Sequence, residues 1–150
     1  MLVNRLAVRI EWSDCDPAGI VYYPRYFQMF DRSTHRLFEA AGWKKRDLLS
    51  EFGAAGYPVV DARAKFILPS SYGDDIVIET RVAALRNSSF DVEHKAFKAS
   101  EGGERLAIEA WETRVWTVAH PDDPKRLKSS PLPPIVIARL SGQTEAVHAS

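Results

Sequence analysis

The chain has 150 residues, 45% of them hydrophobic and 27% charged, a composition that fits one globular domain and excludes a mainly disordered chain. Its 20 basic and 20 acidic residues cancel, which removes the broad positive field of a nucleic-acid binder or a polybasic membrane-surface protein. Cys15 is the only cysteine, so an internal disulfide is excluded and a cysteine-based zinc site disfavoured, and the alternating N-terminus has neither signal-peptide nor membrane-span character. A soluble, cytoplasmic protein of one domain, 1–150, is expected.

Leu6, Val8, Ile10 and Trp12 alternate with Arg5, Ala7, Arg9 and Glu11, the period of a half-buried strand. Loop formers from Ser13 to Gly19 end that pattern. Tyr26, Phe27, Phe30, Thr34, Leu37, Phe38 and Ala41 then recur at spacings of three and four. Pro24 suits the first turn of this helix and Gly42 its stop. A shorter helix spans about Lys44 to Phe52 and ends at Gly53.

Strands follow to about residue 119. Val60, Ala62, Ala64 and Phe66 alternate, Pro69 to Asp75 turns, and Ile76 to Arg86 is rich in β-branched residues. After a turn at Asn87-Ser88, Phe90, Val92, His94 and Ala96 alternate, and Glu101 to Glu104 makes a hairpin loop. The last strand, Arg105 to Ala119, loses its phase near Trp111-Glu112, which predicts a bulge there. From about residue 120, five of the nine prolines mark an irregular charged segment leading to a short helix at Ile135 to Leu140, with fraying from Gly142. This order is α+β: a curved antiparallel sheet of about five strands around one long central helix, with edges that call for dimerisation.

Common catalytic motifs are missing: no G-x-S-x-G, no H-E-x-x-H, no glycine-rich phosphate loop. Asp14 and Asp16 flank Cys15 and disfavour its thiolate, so it reads as a packing residue. Asp31, His35 and Glu39 share a helix flank at i, i+4 and i+8. Without a further ligand they read as a solvated edge rather than a metal site. His94, on the apolar phase of its strand, reads as a satisfied core or interface histidine.

The segment Asp14 to Tyr26 places carboxylates beside a helix start. A carboxylate there can attack a carbonyl or activate water, and free N–H groups of the first turn can hold an oxyanion. The competing reading is that Asp16-Pro17 shapes a turn and Asp14 caps it.

The string Ile10-Glu-Trp-Ser-Asp-Cys-Asp-Pro-Ala-Gly-Ile-Val-Tyr-Tyr-Pro-Arg-Tyr26 resembles the signature of hotdog-fold acyl-CoA thioesterases of the 4-hydroxybenzoyl-CoA thioesterase family. Gly56-Tyr-Pro-Val-Val60, the A-x-F-x-x-P-S-S-Y-x-D run from Ala64 to Asp74 and R-x-S-S-F from Arg86 to Phe90 extend the resemblance over roughly residues 5 to 120. It implies a hotdog fold, active sites at a dimer interface, often dimers of dimers, and acyl-CoA hydrolysis without metal or redox cofactor. Asp16 is then the catalytic carboxylate, as nucleophile or general base, and the Tyr23 N–H polarises the thioester carbonyl.

The resemblance also assigns substrate-binding positions. Arg86, with Ser88 and Ser89, falls at a turn that contacts CoA phosphates in the family; Arg63 and Lys65 are further candidates. Asn87 and Ser88 are neutral where the family enzyme has a more basic run. Tyr57 replaces a small hydroxyl residue, which alters the acyl pocket if it faces there, and Asp31 matches a position that can meet a polar ring substituent. An aryl acyl group is favoured. Short-chain or branched aliphatic acyl-CoA hydrolysis, or CoA-ester binding without hydrolysis, are the alternatives. Neither a nucleic acid nor a membrane is expected as a partner; a homodimer or homotetramer is.

Overall fold

A computed structural model describes residues 1–143; the fraying expected beyond Gly142 falls largely outside the described residues. Five antiparallel strands, β1 (Val3–Arg9), β2 (Val59–Phe66), β3 (Asp75–Leu85), β4 (Ser89–Ser100) and β5 (Gly103–Val115), form one sheet in the order β1-β3-β4-β5-β2. The long helix α1 (Pro24–Ala40) packs on its inner face, as the three-and-four spacing predicts. Tyr26, Met29, Phe30, Ser33, Thr34, Leu37 and Phe38 of α1 are buried against Ile76, Ile78, Val82, Phe90, Val92, Ile108 and Ala110 of the sheet. Removing such side chains from water is the main term holding helix to sheet, about 1.5–3 kcal/mol for each large one.

The apolar core has two lobes. One gathers around Tyr26, Met29 and Phe30 with β1, and the other around Leu37 and Phe38. α2 (Lys45–Phe52), Tyr57, Trp116 and the C-terminal helix α3 (Pro134–Leu140) complete the second lobe. Between the lobes lies a buried polar layer of Thr34, Thr80, His94, Glu112 and Arg114.

Several expectations need correction. Trp12 leaves the strand for a short 3-10 turn and is 77% exposed, because the sheet pairing ends at Arg9–Asp75. The bulge in β5 lies not at Trp111-Glu112 but where the register shifts between Ala96 and Phe97, leaving both Ala107 and Ile108 buried. Near Trp111 the phase is intact; the inward positions simply carry Glu112 and Arg114. The last strand also breaks after Val115. A separate hairpin, β6 (Thr117–His120) with β7 (Asp123–Ser129), occupies part of the segment read as irregular. Finally, β2 alternates in sequence but is exposed along nearly its whole length, with Val60 61% and Phe66 48% accessible. It is a sheet edge with apolar residues uncovered.

No helix among the described residues is long and apolar enough to cross a membrane.

Candidate active site

The loop after β1 is a small hairpin whose shape follows from its sequence. The Asp16 carbonyl accepts the Gly19 N–H at 2.9 Å, and the Asp16 N–H donates to the Ile20 carbonyl at 3.0 Å. Pro17-Ala18-Gly19 is thus a three-residue hairpin loop, with Gly19 at φ +83°, where side chains are strained. The Asp16 carboxylate turns back on its own loop: Oδ1 accepts the Ala18 N–H at 2.8 Å. Its Oδ2 has no partner among the described residues. Asp14, by contrast, is consumed by structure, its Oδ2 accepting the Glu11 N–H at 2.9 Å and its carbonyl the Tyr22 N–H at 2.8 Å.

The hairpin runs directly into α1. Tyr23 caps the helix, Pro24 has no N–H to give, and the N–H groups of Tyr22, Arg25 and Tyr26 are all engaged. The Tyr23 N–H has no acceptor among the described residues. It therefore stands free at the positive end of a 17-residue helix. Beside it opens a half-enclosed, mostly apolar cavity of about 190 Å³, walled by Ile20, Tyr23, Tyr26, Phe66, Leu68 and Ser70 among others. That volume suits an acyl group and not a whole CoA ester. The Ser70 hydroxyl, buried in this wall, meets the geometric criteria for a hydrogen bond with no group among the described residues.

The other site residues named from the sequence do not converge on this loop. Arg86, Ser88 and Ser89 lie at the far end of β3, about 33 Å away along a strand of eleven residues. There Arg86 pairs with Asp91 (2.6 and 3.1 Å) and donates to Ser89 Oγ (2.8 Å), while the Ser88 carbonyl accepts the Trp116 N–H (2.7 Å). Tyr57 is at that end too, 1% exposed, stacked on Phe38 at 4.5 Å and near Trp116 at 6.5 Å. It is core in this chain, not cavity wall. Burial pushes its phenol far above the ordinary tyrosine value, and the hydroxyl has no partner among the described residues.

Asp31 sits between the two ends, on α1, with its side chain 55% exposed. Its Oδ1 accepts from Arg114 Nη2 at 2.9 Å and lies 3.4 Å from His35 Nε2. Arg114, Glu112 and Thr80 are polar positions that reasoning from the sequence missed; two charged residues on the inward phase of β5 were the signal available. Burial pushes the Glu112 carboxyl up, but the His94 hydrogen bond and the charges of His94 and Arg114 outweigh it and hold the group below the usual carboxylate range. Burial also lowers His35 and Lys45. No cluster of three or more His, Cys, Asp or Glu side chains among the described residues is placed to hold a metal ion.

A carboxylate with an unengaged oxygen, a helix-end N–H without an acceptor among the described residues and an apolar cavity thus lie at one end of a hotdog fold. The chain belongs to the thioesterase-like superfamily, whose profile it matches over residues 10–140. It is 36% identical to a 4-hydroxybenzoyl-CoA thioesterase from Pseudomonas sp. strain CBS-3, over 83% of this chain and 88% of that one. An Asp-to-Asn mutant of 4-hydroxybenzoyl CoA thioesterase, crystallised with 4-hydroxybenzoyl CoA, superposes with a TM-score of 0.86 at 32% identity, covering 93% of this chain and 99% of that one. An acyl-CoA thioester hydrolase of Escherichia coli O157:H7 is 22% identical over 91% of this chain and 94% of its own length.

Proposed function

We propose that the protein hydrolyses aryl-CoA thioesters, with Asp16 as nucleophile or general base and the start of α1 as the oxyanion site. The observation that carries the reading is the Tyr23 N–H, without an acceptor among the described residues at the helix end, with a carboxylate oxygen unengaged in the hairpin that runs into that helix. The thioester carbonyl oxygen accepts from this N–H, so charge developing on it meets the positive end of the helix dipole. Asp16 Oδ2 either adds to the carbonyl carbon or takes the proton of the water that adds, and CoA leaves as its thiol(ate). The relatives named for 4-hydroxybenzoyl-CoA support an aryl acyl group.

The helix itself supplies a length. Tyr23 and Asp31 are eight residues apart, about 12 Å at 1.5 Å per residue. Two hydrogen bonds of about 3 Å each, one to the carbonyl and one to a ring substituent, leave about 6 Å between them. That is about the length of a para-substituted benzoyl group.

Homodimer formation through β2 completes the site. Antiparallel pairing of two β2 edges lays the Val59 end of one copy beside the Phe66 end of the other, covering the exposed apolar residues. The Arg86-Ser88-Ser89 turn of one copy then approaches the Asp16 loop of its partner, where the CoA phosphates leave the cavity. A dimer of dimers extends the same assembly.

A panel of acyl-CoA esters, read with a thiol-detecting reagent, tests the activity. Release of CoA fastest from para-substituted aryl esters is expected. Equal or faster turnover of short or branched aliphatic esters overturns the aryl reading, and no thiol release from any ester overturns hydrolysis.

A further inference from the structure

Behind Asp31, a connected chain of buried polar side chains is not used by the hydrolysis. Thr80 Oγ1 meets His94 Nδ1 at 2.8 Å, and His94 Nε2 meets Glu112 Oε1 at 2.7 Å. Arg114 Nε donates to Glu112 Oε2 at 2.7 Å and its Nη2 to Asp31 Oδ1 at 2.9 Å. Thr80, His94, Glu112 and Arg114 are all buried; Asp31 alone comes to the surface.

Stability does not explain this arrangement. Desolvating ion pairs is costly, and apolar residues of similar volume often serve a core as well or better. What the network does provide is rigidity at its exposed end. The planar Arg114 guanidinium is tied to Glu112, to the Tyr57 carbonyl at 3.3 Å and to Asp31, and its centre lies 5.6 Å from the Tyr57 ring centroid. It cannot rotate without breaking a bond. Asp31 Oδ1 is thus committed, whereas its Oδ2 has no partner among the described residues.

We propose that Arg114 is a positioning residue for substrate recognition. It fixes Asp31 so that Oδ2 accepts a hydrogen bond from a donor, such as a phenolic hydroxyl, on the para position of an aryl acyl group, and Glu112 with His94 holds Arg114 in place. This rests on the reading of Asp31 as the contact for that substituent.

The test compares kcat/KM for 4-hydroxybenzoyl-CoA and benzoyl-CoA in the parent, Asp31→Asn, Arg114→Lys, Glu112→Gln and the Asp31→Asn/Arg114→Lys double variant, with thermal unfolding alongside. Asp31→Asn is expected to lower the hydroxybenzoyl-to-benzoyl ratio about tenfold or more, the scale of one charge-assisted hydrogen bond. Arg114→Lys, which keeps the charge but not the fork, lowers it comparably. The double variant falls no further than Asp31→Asn. Glu112→Gln lowers the ratio in the same direction and carries the comparison if Arg114→Lys does not fold. A purely structural role depresses both substrates together and leaves the ratio unchanged. If Asp31→Asn lowers the ratio while Arg114→Lys and Glu112→Gln leave it within about twofold, the positioning role is overturned and the Asp31 contact stands. If Asp31→Asn itself leaves the ratio unchanged, the Asp31 contact is wrong, and the positioning role falls with it.

Discussion

The two ends of α1 differ in what they leave unfinished. At the C-terminal end, Leu37 and Phe38 are enclosed by Trp43, Leu48, Tyr57, Phe90 and Trp116, with α2 and α3 closing over them. Arg139 donates to the Ala41 carbonyl at 3.1 Å, placing a cation at the negative end of the helix. At the N-terminal end, Tyr22 and Tyr23 are exposed, an apolar cavity is half open, and a backbone N–H has no acceptor among the described residues. The helix end satisfied within the chain holds the fold together. The end left open is the one with room for a reacting carbonyl.

Substitutions at the two ends should therefore separate chemistry from stability. Asp16→Asn is expected to lower kcat by about 10²–10⁴, or ~3–5 kcal/mol of barrier, with an unfolding temperature close to the parent's. A folded Asp16→Asn protein that retains activity within about fivefold would remove the catalytic reading of the N-terminal end. Phe38→Ala should do the reverse, costing ~3–5 kcal/mol of stability through the cavity it leaves while the folded fraction keeps its kcat. Denaturant melts and active-site titration of the same samples distinguish the two outcomes.

A smaller effect is expected from acid. The Ser71 N–H and Lys98 hold Asp74 below its ordinary value, Arg86 and Thr113 do so for Asp91, and the His94 bond with Arg114 does so for Glu112 against its burial. Each carboxyl releases its proton more readily when folded than unfolded. Their stabilisation is thus present above the ordinary carboxylate value and is lost as pH falls through about 4 and below. Unfolding temperatures between neutral pH and about pH 3 should show this loss, with a shallower fall in Glu112→Gln. Equal slopes in the two proteins would mean that the buried layer contributes no acid sensitivity.

The edge strand supplies the next comparison. Val60→Lys puts a charge where β2 edges would meet, and light scattering should show more monomer together with lower turnover. A monomer with undiminished turnover would remove the shared site. Arg86→Ala should act most mildly, raising KM up to about tenfold with kcat little changed, because Arg86 is already partnered by Asp91 on the surface. An unchanged KM would turn attention to Arg63 and Lys65.

The helix-on-sheet architecture was legible because α1 keeps a strict apolar stripe and β3 and β4 alternate cleanly. The loop carrying Asp16 was legible too, since Asp-Pro-Ala-Gly specifies a turn and the next prolyl residue starts a helix. What stayed hidden has physical causes. β7 is exposed along nearly all its length, so no apolar phase marks it. Glu112 and Arg114 face inward, so an intact stretch of β5 read as bulged, while the bulge itself lies at Ala107. The separation of the Asp16 loop from Arg86 by the length of β3, about 33 Å, is a property of register and topology that local spacing does not encode.

The hydrogen bond from the Ala18 amide to Asp16 Oδ1 makes this side chain a fastener of its loop, and in the proposed reaction the same side chain is also the nucleophile or general base. Its rotamer is selected when the chain folds, so little torsional freedom remains to be lost when the ester arrives. Such a residue tolerates no lengthening. Glutamate at this position keeps the charge, but its extra methylene carries the carboxylate past the Ala18 amide and frees the loop. Asp16→Glu should then be nearly as inactive as Asp16→Asn. Turnover close to the parent's would show that the carboxylate finds its direction without this fastening.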